Sequence, residues 1–229
     1  PLFLEEMARG LIADGLLTRR GERWVYNPNV SVVQVPQTIH GLLLGRIDRL
    51  PTPVRAVLRE AAVIGPEFDE GLLRGVASAP ASVPQALDSL VDAGMLAAMP
   101  AEDGCREFRF RQGLLQEVAY QSLLLRRRTE LHTRIGEALE KQCGGVPRRL
   151  GELQALAHHF RLGVDKARGA RYLVAAGDWA RGTYANDDAI RDYAQALDIL
   201  AAAKGNEEER LAVRERLADV LAPAGRIAE

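Results

Sequence analysis

The residues of this chain best suited to chemistry are its four histidines, which are His40, His132, His158 and His159. Neighbouring residues on a helix point about 100° apart, so the pair His158–His159 does not chelate a metal ion by itself. His40 and His132 have no carboxylate or thiol at the spacing of a ligand pair. The sequence therefore predicts no metal site, and it predicts surface and rim positions on a helical core for the two adjacent histidines.

Sequence signatures of catalysis are missing. The chain contains no phosphate loop of the Gly-x-x-x-x-Gly-Lys type and no Gly-x-Gly-x-x-Gly fingerprint. It also contains no nucleophile elbow that would mark a Ser/His/Asp arrangement. We therefore expect that this part of the protein is not an enzyme and that it binds no cofactor on its own.

The composition of the 229-residue chain favours helices, because 47% of the residues are hydrophobic and only 5% are aromatic. A formal net charge of -1 provides no global attraction to nucleic acid or to an anionic membrane. Cys105 and Cys143 suggest neither a disulfide framework nor a zinc site, which is typical of a reducing cytosol. No run of about 18 apolar residues predicts a membrane span.

The order of predicted elements divides the chain into three parts. Residues 1–50 are a helical linker with a first helix over residues 1–17, a short strand at Trp24–Tyr26, a candidate second strand at 30–35 and a helix from Pro36 to Leu50. The sequence begins within a helical pattern and stops soon after a turn, so we expect a piece of a longer protein. A winged-helix-like unit with a small β-hairpin follows over residues 51–125, and repeat-like helices occupy 126–229. The predicted fold class is mainly α.

Three helices followed by a hairpin give the winged-helix order. A Ser-x-x-Gln capping box at Ser82 predicts the start of the third helix, and strands at 95–99 and 107–111 form the predicted hairpin. In DNA-binding proteins the third helix enters the major groove. Here it carries Asp88 and Asp92 and no Lys or Arg, which argues against DNA binding and favours a protein-facing surface.

Arginines cluster around the end of the hairpin. Arg126-Arg127-Arg128 is a short basic run, and Arg109 and Arg111 precede it. The run is typical of a solvated helix start. The alternative is that some of these side chains face a nucleotide phosphate or an acidic partner.

Four residues in the last part lie at the spacings of the small and aromatic positions of a tetratricopeptide repeat: Gly177, Ala189, Tyr193 and Ala196. Small residues at such positions let two helices approach closely. Residues 217–227 match the start of another copy. Repeats of this kind stack into a superhelix with a concave binding face.

Four segments resemble one family, the signal-transduction ATPases with numerous domains (STAND ATPases). Pro1 to Glu6 resembles their Gly-Asn-Pro-Phe-Phe-Leu-Glu-Glu segment, which closes the nucleotide-binding domain, so residues 1–50 would hold the end of an ATPase lid as well as the helical linker. Residues 35–50 resemble Val-Pro-x-Thr-(Val/Ile) followed by Arg-Ile-Asp-Arg-Leu. Residues 61–68 resemble Ala-Ala-Val-Ile-Gly-Arg-Glu-Phe. Residues 108–124 resemble Phe-Arg-His-x-Leu-x-Gln-Glu-Val-Ala-Tyr-x-Ser-Leu-Leu. Similar bacterial proteins combine a class III adenylate/guanylate cyclase domain, an AAA-type ATPase core and a tetratricopeptide tail, and LuxR-type regulators share the middle part.

The resemblance implies a regulatory role in a cytoplasmic signalling protein. In the family the winged helix closes over ADP, and exchange for ATP with Mg releases it when a protein or small-molecule inducer occupies the repeats. The implied nucleotide contacts are Pro1, Arg111 and Gln112. Gln112 replaces a His that contacts the ADP β-phosphate in the family, and its amide cannot become cationic. The implied partner of the winged helix is the protein's own ATPase core. The alternatives are a tetratricopeptide scaffold or part of a LuxR-type transcription regulator.

Overall fold

The computed structural model describes residues 8, 12, 17–20, 23–26, 39–100, 104–202 and 207–222. Within these residues the chain is mainly α, as its composition predicted, with ten helices and five short strands. It divides into two compact units, Pro1–Leu123 and Leu124–Glu229. No helix among the described residues is both long enough and apolar enough to cross a membrane.

The first unit begins with a two-stranded antiparallel ladder. Strand β1 (Leu17–Arg20) pairs with β2 (Arg23–Tyr26), so that Thr18 lies opposite Val25. The strand predicted at Trp24–Tyr26 is therefore confirmed. The predicted strand at 30–35, and all of the first predicted helix except residues 8 and 12, lie outside the described residues.

Four helices follow in the first unit: α1 (Ile39–Asp48), α2 (Thr52–Ile64), α3 (Glu70–Val76) and α4 (Val83–Asp92). Pro53 is tolerated in the first turn of α2 because an N–H at that position has no intrahelical partner. Asp69 caps α3, since its Oδ1 accepts the backbone N–H of Leu72 at 2.6 Å. The apolar stripes of these helices form one core, in which Leu43, Ile47 and other side chains are fully buried.

The capping box predicted at Ser82 is wrong. A 3₁₀ turn, Pro80–Ser82, precedes α4, and Ser82 itself has helical dihedrals (φ -86°, ψ -11°). An N-cap side chain needs a more extended backbone to reach back to the helix N–H groups. Here Ser82 Oγ donates to the carbonyl oxygen of Ala79 at 2.9 Å instead. The helix begins at Val83 without a side-chain cap.

A three-stranded antiparallel sheet completes the winged-helix-like topology. Its strand order is β3 (Glu67–Asp69), β5 (Glu107–Phe110), β4 (Leu96–Met99), with β5 in the centre. The β4–β5 hairpin was predicted, whereas β3 was not, because three residues are too short to show a period-two pattern. Phe108 on β5 is fully buried and stacks on Phe68 of β3, with ring centroids 5.9 Å apart.

Helix α5 (Gly113–Gln121) ends the first unit and packs on α2. Leu115, Val118 and Ala119 are buried in the same core as the helices above. Gln116 Nε2 donates to the carbonyl oxygen of Ala62 at 2.7 Å, which ties α5 to the last turn of α2.

The second unit consists of five consecutive helices: α6 (Leu125–Gln142), α7 (Leu150–Leu162), α8 (Lys166–Gly182), α9 (Asn186–Ala202) and α10 (Glu207–Leu221). Each helix packs mainly against the next one along the chain. Phe160 of α7 is fully buried, stacks on Tyr172 of α8 and is covered by the guanidinium of Arg168 at 4.8 Å. An array of this kind buries its apolar faces helix by helix.

Candidate functional site

The segment that runs from β5 into α5 holds the residues implied as nucleotide contacts. Gln112 occupies the N-cap position of α5 with extended dihedrals, and its carbonyl oxygen accepts the backbone N–H of Leu115 at 3.1 Å. Arg111 donates from Nε to the carbonyl oxygen of Leu96 at 3.1 Å, and from its backbone N–H to Met95. The structure thus places these two residues side by side, whereas Pro1 lies outside the described residues.

Two arginines border an open cleft on the sheet. The cleft has a volume of about 700 Å³ and is lined by Pro66, Glu67, Ala97, Arg109, Phe110 and Arg111. Arg109 and Arg111 are both exposed, and Arg109 lies opposite Glu67 in the β3–β5 ladder. Two guanidinium groups in an open cleft can hold an anionic group, although the Glu67 carboxylate opposes an anion there.

The third helix of the winged-helix-like unit, α4, has an acidic outer surface. Its sequence contains Asp88 and Asp92 and no Lys or Arg. Asp88 forms an ion pair with Arg106, which also reaches Glu70 Oε2 at 3.5 Å. This cation, which comes from the segment just before β5, is held by two carboxylates. The surface of α4 is therefore unsuited to the DNA backbone.

The basic run at the start of α6 is exposed only at Arg126, since Arg127 and Arg128 are half-buried. Arg126 has a 91% exposed side chain and its Nε lies 3.0 Å from Glu130 Oε1. Arg127 also pairs with Glu130, at 3.5 Å. Pairs three and four residues apart on an exposed helix are worth only about 0.3–0.5 kcal/mol each.

The four residues at repeat spacing lie at the contact between α8 and α9. Gly177, Ala189, Tyr193 and Ala196 are all buried, and the last three are 0% exposed. A Cβ built on Gly177 would lie 2.6 Å from Cε1 of Tyr193, so only glycine allows this approach. Tyr193 donates its hydroxyl to Asp178 Oδ1 at 2.7 Å, and burial together with this bond raises its pKa to about 12.

A groove lies among helices α8, α9 and α10. Its volume is about 260 Å³, and it is lined by Ala170, Arg171, Val174, Leu200, Glu209, Ala212, Val213 and Arg216. Apolar side chains form the floor. Arg171 and Glu209 face each other at 4.0 Å across it. The groove therefore combines an apolar floor with charged rims.

Sequence reasoning missed a cluster of three histidines. His132 of α6 and the adjacent pair on α7 have ligand nitrogens that all lie within 4.8 Å of one another. The sequence shows that His132 and His158 lie at similar distances from the connecting segment 143–149, but this spacing does not determine which faces of α6 and α7 meet. His132 and His159 are buried, so the rim position predicted for both adjacent histidines holds only for the exposed His158.

Comparison with known proteins places the chain in no family. No family model matches it, and no solved structure matches it significantly. A curated protein of Rhizobium meliloti (strain 1021), named "Uncharacterized protein R02095", is 27% identical over 201 residues. That alignment covers 87% of this chain, and the chain spans 19% of the length of the relative.

Proposed function

We propose that the chain is the regulatory and protein-interaction portion of a multidomain signal-transduction ATPase. The winged-helix-like unit restrains the nucleotide state of an ATPase core elsewhere in the protein, and the helical array senses a protein or small-molecule inducer. The observation that carries the proposal is a winged-helix-like topology whose third helix, α4, is acidic where a DNA-binding helix is basic. The four family-like segments supply the ATPase context.

The charge of α4 separates this proposal from transcriptional regulation through the same unit. A recognition helix must approach two rows of phosphates, and it gains affinity from Lys and Arg that displace counterions. On α4 the carboxylates of Asp88 and Asp92 would repel those phosphates, and Arg106 is already shared between Asp88 and Glu70. A protein surface is a better partner for this helix, and the ATPase core is the one that the resemblance supplies.

The second unit supports a sensing role. The close approach of Gly177 to Tyr193 is the packing expected of a tetratricopeptide repeat, in which a small residue on one helix receives an aromatic ring from the next. The groove among α8, α9 and α10 offers a place for an inducer. A plain tetratricopeptide scaffold would bind its partner in the same groove. The scaffold alternative therefore differs from the proposed function only because it has no nucleotide-dependent output.

The nucleotide, ADP or ATP with Mg, belongs to the whole protein in this proposal. Of the implied contacts, Arg111 borders the open cleft and Gln112 is half-buried at the start of α5, so both suit a partial contact with phosphate oxygens. A glutamine amide donates a neutral hydrogen bond, which is weaker than that of a protonated histidine by about 1 kcal/mol. We therefore propose that this protein holds ADP less tightly than a version with histidine at this position.

The remaining features of the proposal follow from the family. The protein acts in the bacterial cytoplasm, and its output is an adenylate or guanylate cyclase domain in the same chain. The fragment itself has no catalytic role. A LuxR-type regulator is the alternative output, and it would need a separate helix-turn-helix beyond this chain.

The test uses the complete protein encoded by the same reading frame. Its sequence upstream of Pro1 must contain a phosphate loop; without one the proposal is lost. The variant Gln112→His should then raise ADP affinity about fivefold and lower basal nucleotide turnover, because about 1 kcal/mol of binding energy is added. The matched control is Gln121→His, on the same helix but exposed and bonded to Glu117 at 3.0 Å. Equal ADP affinity in wild type, Gln112→His and the control would show that this position does not contact nucleotide.

A binding measurement tests the DNA alternative. Fluorescence anisotropy of a labelled mixed-sequence duplex should show no binding by the 229-residue chain at low salt. Salt-dependent micromolar binding that is lost when α4 is altered at Ser89→Glu would favour the transcriptional alternative instead.

A further inference from the structure

The three clustered histidines are held by two helices that approach closely at this point. Nδ1 of His132 on α6 lies 3.0 Å from Nδ1 of His159 on α7. The ring of His158 lies 5.6 Å from that of His132 and 5.1 Å from that of His159, measured between centroids. Three imidazole rings thus meet in one place, at the contact between α6 and α7, although His132 is far in sequence from the adjacent pair His158–His159.

The spacing of the ring nitrogens matches a tetrahedral metal centre. Zinc–nitrogen bonds are about 2.0–2.1 Å long, so two imidazole nitrogens on one tetrahedral zinc ion lie about 3.3–3.4 Å apart. Nδ1 of His132 and Nδ1 of His159 lie 3.0 Å apart, which is a few tenths of an ångström less than that nitrogen–nitrogen distance. The third ligand nitrogen, on exposed His158, lies within 4.8 Å of the others and needs a shift of about 1.5 Å, which rotation of a surface side chain supplies.

We propose that His132, His158 and His159 form a site for one divalent transition-metal ion, with zinc as the best match. Three imidazoles suit zinc, copper and nickel and do not suit magnesium or calcium, which take oxygen ligands. Three protein ligands leave a fourth position to water or another small ligand, on the side of exposed His158.

The protonation state of the cluster suits metal binding. Burial, and then the charges of His158, Arg128 and Arg161, lower the pKa of His132 to about 4. Partial desolvation and Arg161 lower the pKa of His158 as well. Neutral imidazole is the form that ligates, so the lowered pKa values of His132 and His158 favour metal binding. In the metal-free pair one Nδ1 must donate to the other, so metal binding requires one ring to move its proton to Nε2.

The charged groups around the cluster set a limit on affinity. Arg128, one turn before His132 on α6, and Arg161, two residues after His159 on α7, are the charged groups that act on His132. Both are cations and repel a metal dication, so we expect weaker binding than in a closed four-ligand site. The same two cations favour a negatively charged group, such as hydroxide or carboxylate, at the fourth position.

The helices that carry the ligands are well positioned. A Cβ built on Gly136, one turn after His132, would lie 3.1 Å from the ring of Phe160, the residue after His159. This tight contact fixes the spacing of α6 and α7 next to the cluster. Ligands held by packed helices lose little conformational entropy on binding a metal, and this favours a real site over chance proximity.

Metal binding is tested on the whole 229-residue chain after replacement of both cysteines by serine, so that thiols do not bind the metal. Cobalt(II) should bind with one equivalent and give the visible absorption of a tetrahedral nitrogen site, and zinc should displace it. His158→Gln should weaken binding at least tenfold. This side chain is exposed, so its replacement should not disturb folding. The matched control is His40→Gln, which alters the one histidine outside the cluster and should bind as the parent does.

Three results would overturn the proposal. They are no saturable cobalt or zinc binding by the parent chain, a metal affinity of His158→Gln equal to that of the parent, or a loss of metal affinity in His40→Gln as large as that in His158→Gln. A second measurement is the melting temperature in excess zinc. It should rise for the parent and for His40→Gln, since a ligand that binds the folded state stabilises it, and should rise much less for His158→Gln. None of these readouts depends on nucleotide or on the proposed regulatory role.

Discussion

Replacing Gly177 by alanine should destabilise the helical array, although alanine is the better helix former. The new methyl group would lie 2.6 Å from Cε1 and 2.8 Å from Cδ1 of Tyr193. That ring cannot swing away, because it is 0% exposed and its hydroxyl is bonded to Asp178 at 2.7 Å. Overpacking of this kind costs about 1–3 kcal/mol, and the clash places this site in the upper half of that range.

The gain in helix propensity offsets part of this cost. Glycine in a helix interior is about 1 kcal/mol less favourable than alanine. The net loss in the free energy of unfolding should therefore be about 1–2 kcal/mol. The matched control is Gly182→Ala, at the exposed end of the same helix α8, where a Cβ would meet nothing within 4 Å. That control should be neutral or slightly stabilising.

The assay is urea denaturation followed by tryptophan fluorescence. The chain has two tryptophans, of which Trp24 belongs to the first unit and Trp179 to α8. In a Trp24→Phe background the signal reports the second unit alone. If Gly177→Ala is as stable as Gly182→Ala, the close packing of α8 on α9 described above is wrong. Gly177→Ala should cost less in a Tyr193→Leu background than in the wild type, because the smaller side chain removes the clash, so the two changes should be non-additive.

Three further predictions concern single polar groups. Asp69→Ala should lower the free energy of unfolding by about 1 kcal/mol because the α3 cap is lost, whereas Ser82→Ala should lower it by less than about 0.5 kcal/mol. Urea denaturation measures both changes. Asp192→Asn should raise the free energy of unfolding by about 1 kcal/mol at pH 7, because Asp192 is buried and its Oδ2 has no hydrogen-bond partner among the described residues. Burial also raises the pKa of Asp192, so the free energy of unfolding of the wild type should increase as the pH falls. The stability difference between the wild type and Asp192→Asn should disappear by about pH 4. Burial, followed by the hydrogen bond to Glu140 for Tyr172 and to Asp178 for Tyr193, raises the pKa of both tyrosines to about 12. An unfolded tyrosine ionises near pH 10, so the free energy of unfolding of the second unit should fall between about pH 10 and 12. Circular dichroism of Tyr172→Phe and Tyr193→Phe should show a smaller fall.

The helices were predictable because their signals are local. Apolar residues at helical spacing predicted the helix from Pro36 to Leu50, and Leu43 and Ile47 on the corresponding helix α1 are buried. The β-hairpin was predicted from two short segments, 95–99 and 107–111, on either side of a polar turn. The three-residue strand β3 was missed because its only strong determinant is pairing with β5, which is distant in sequence.

The candidate sites were predictable only where one element carries them. The acidic residues of α4 lie within ten consecutive residues, so the acidic surface of this helix was predictable from the sequence. The histidine cluster depends on how α6 packs against α7. Side chains on two helices meet only when the rotation of each helix about its axis is known, and a helical periodicity does not determine which turn faces which.

The two units show that topology and surface chemistry must be weighed separately. The first unit has the element order of a DNA-binding domain, yet the charge on α4 opposes that function, and charge is what phosphates respond to. In the second unit consecutive helices pack into an array, and the three imidazoles add a chemistry that helix packing alone does not need. His132 and His159 are buried and hydrogen-bonded to each other through their Nδ1 atoms at 3.0 Å, and a metal ion would take the place of that bond. Their presence in the core is the reason to test the second unit for metal binding as well as for protein partners.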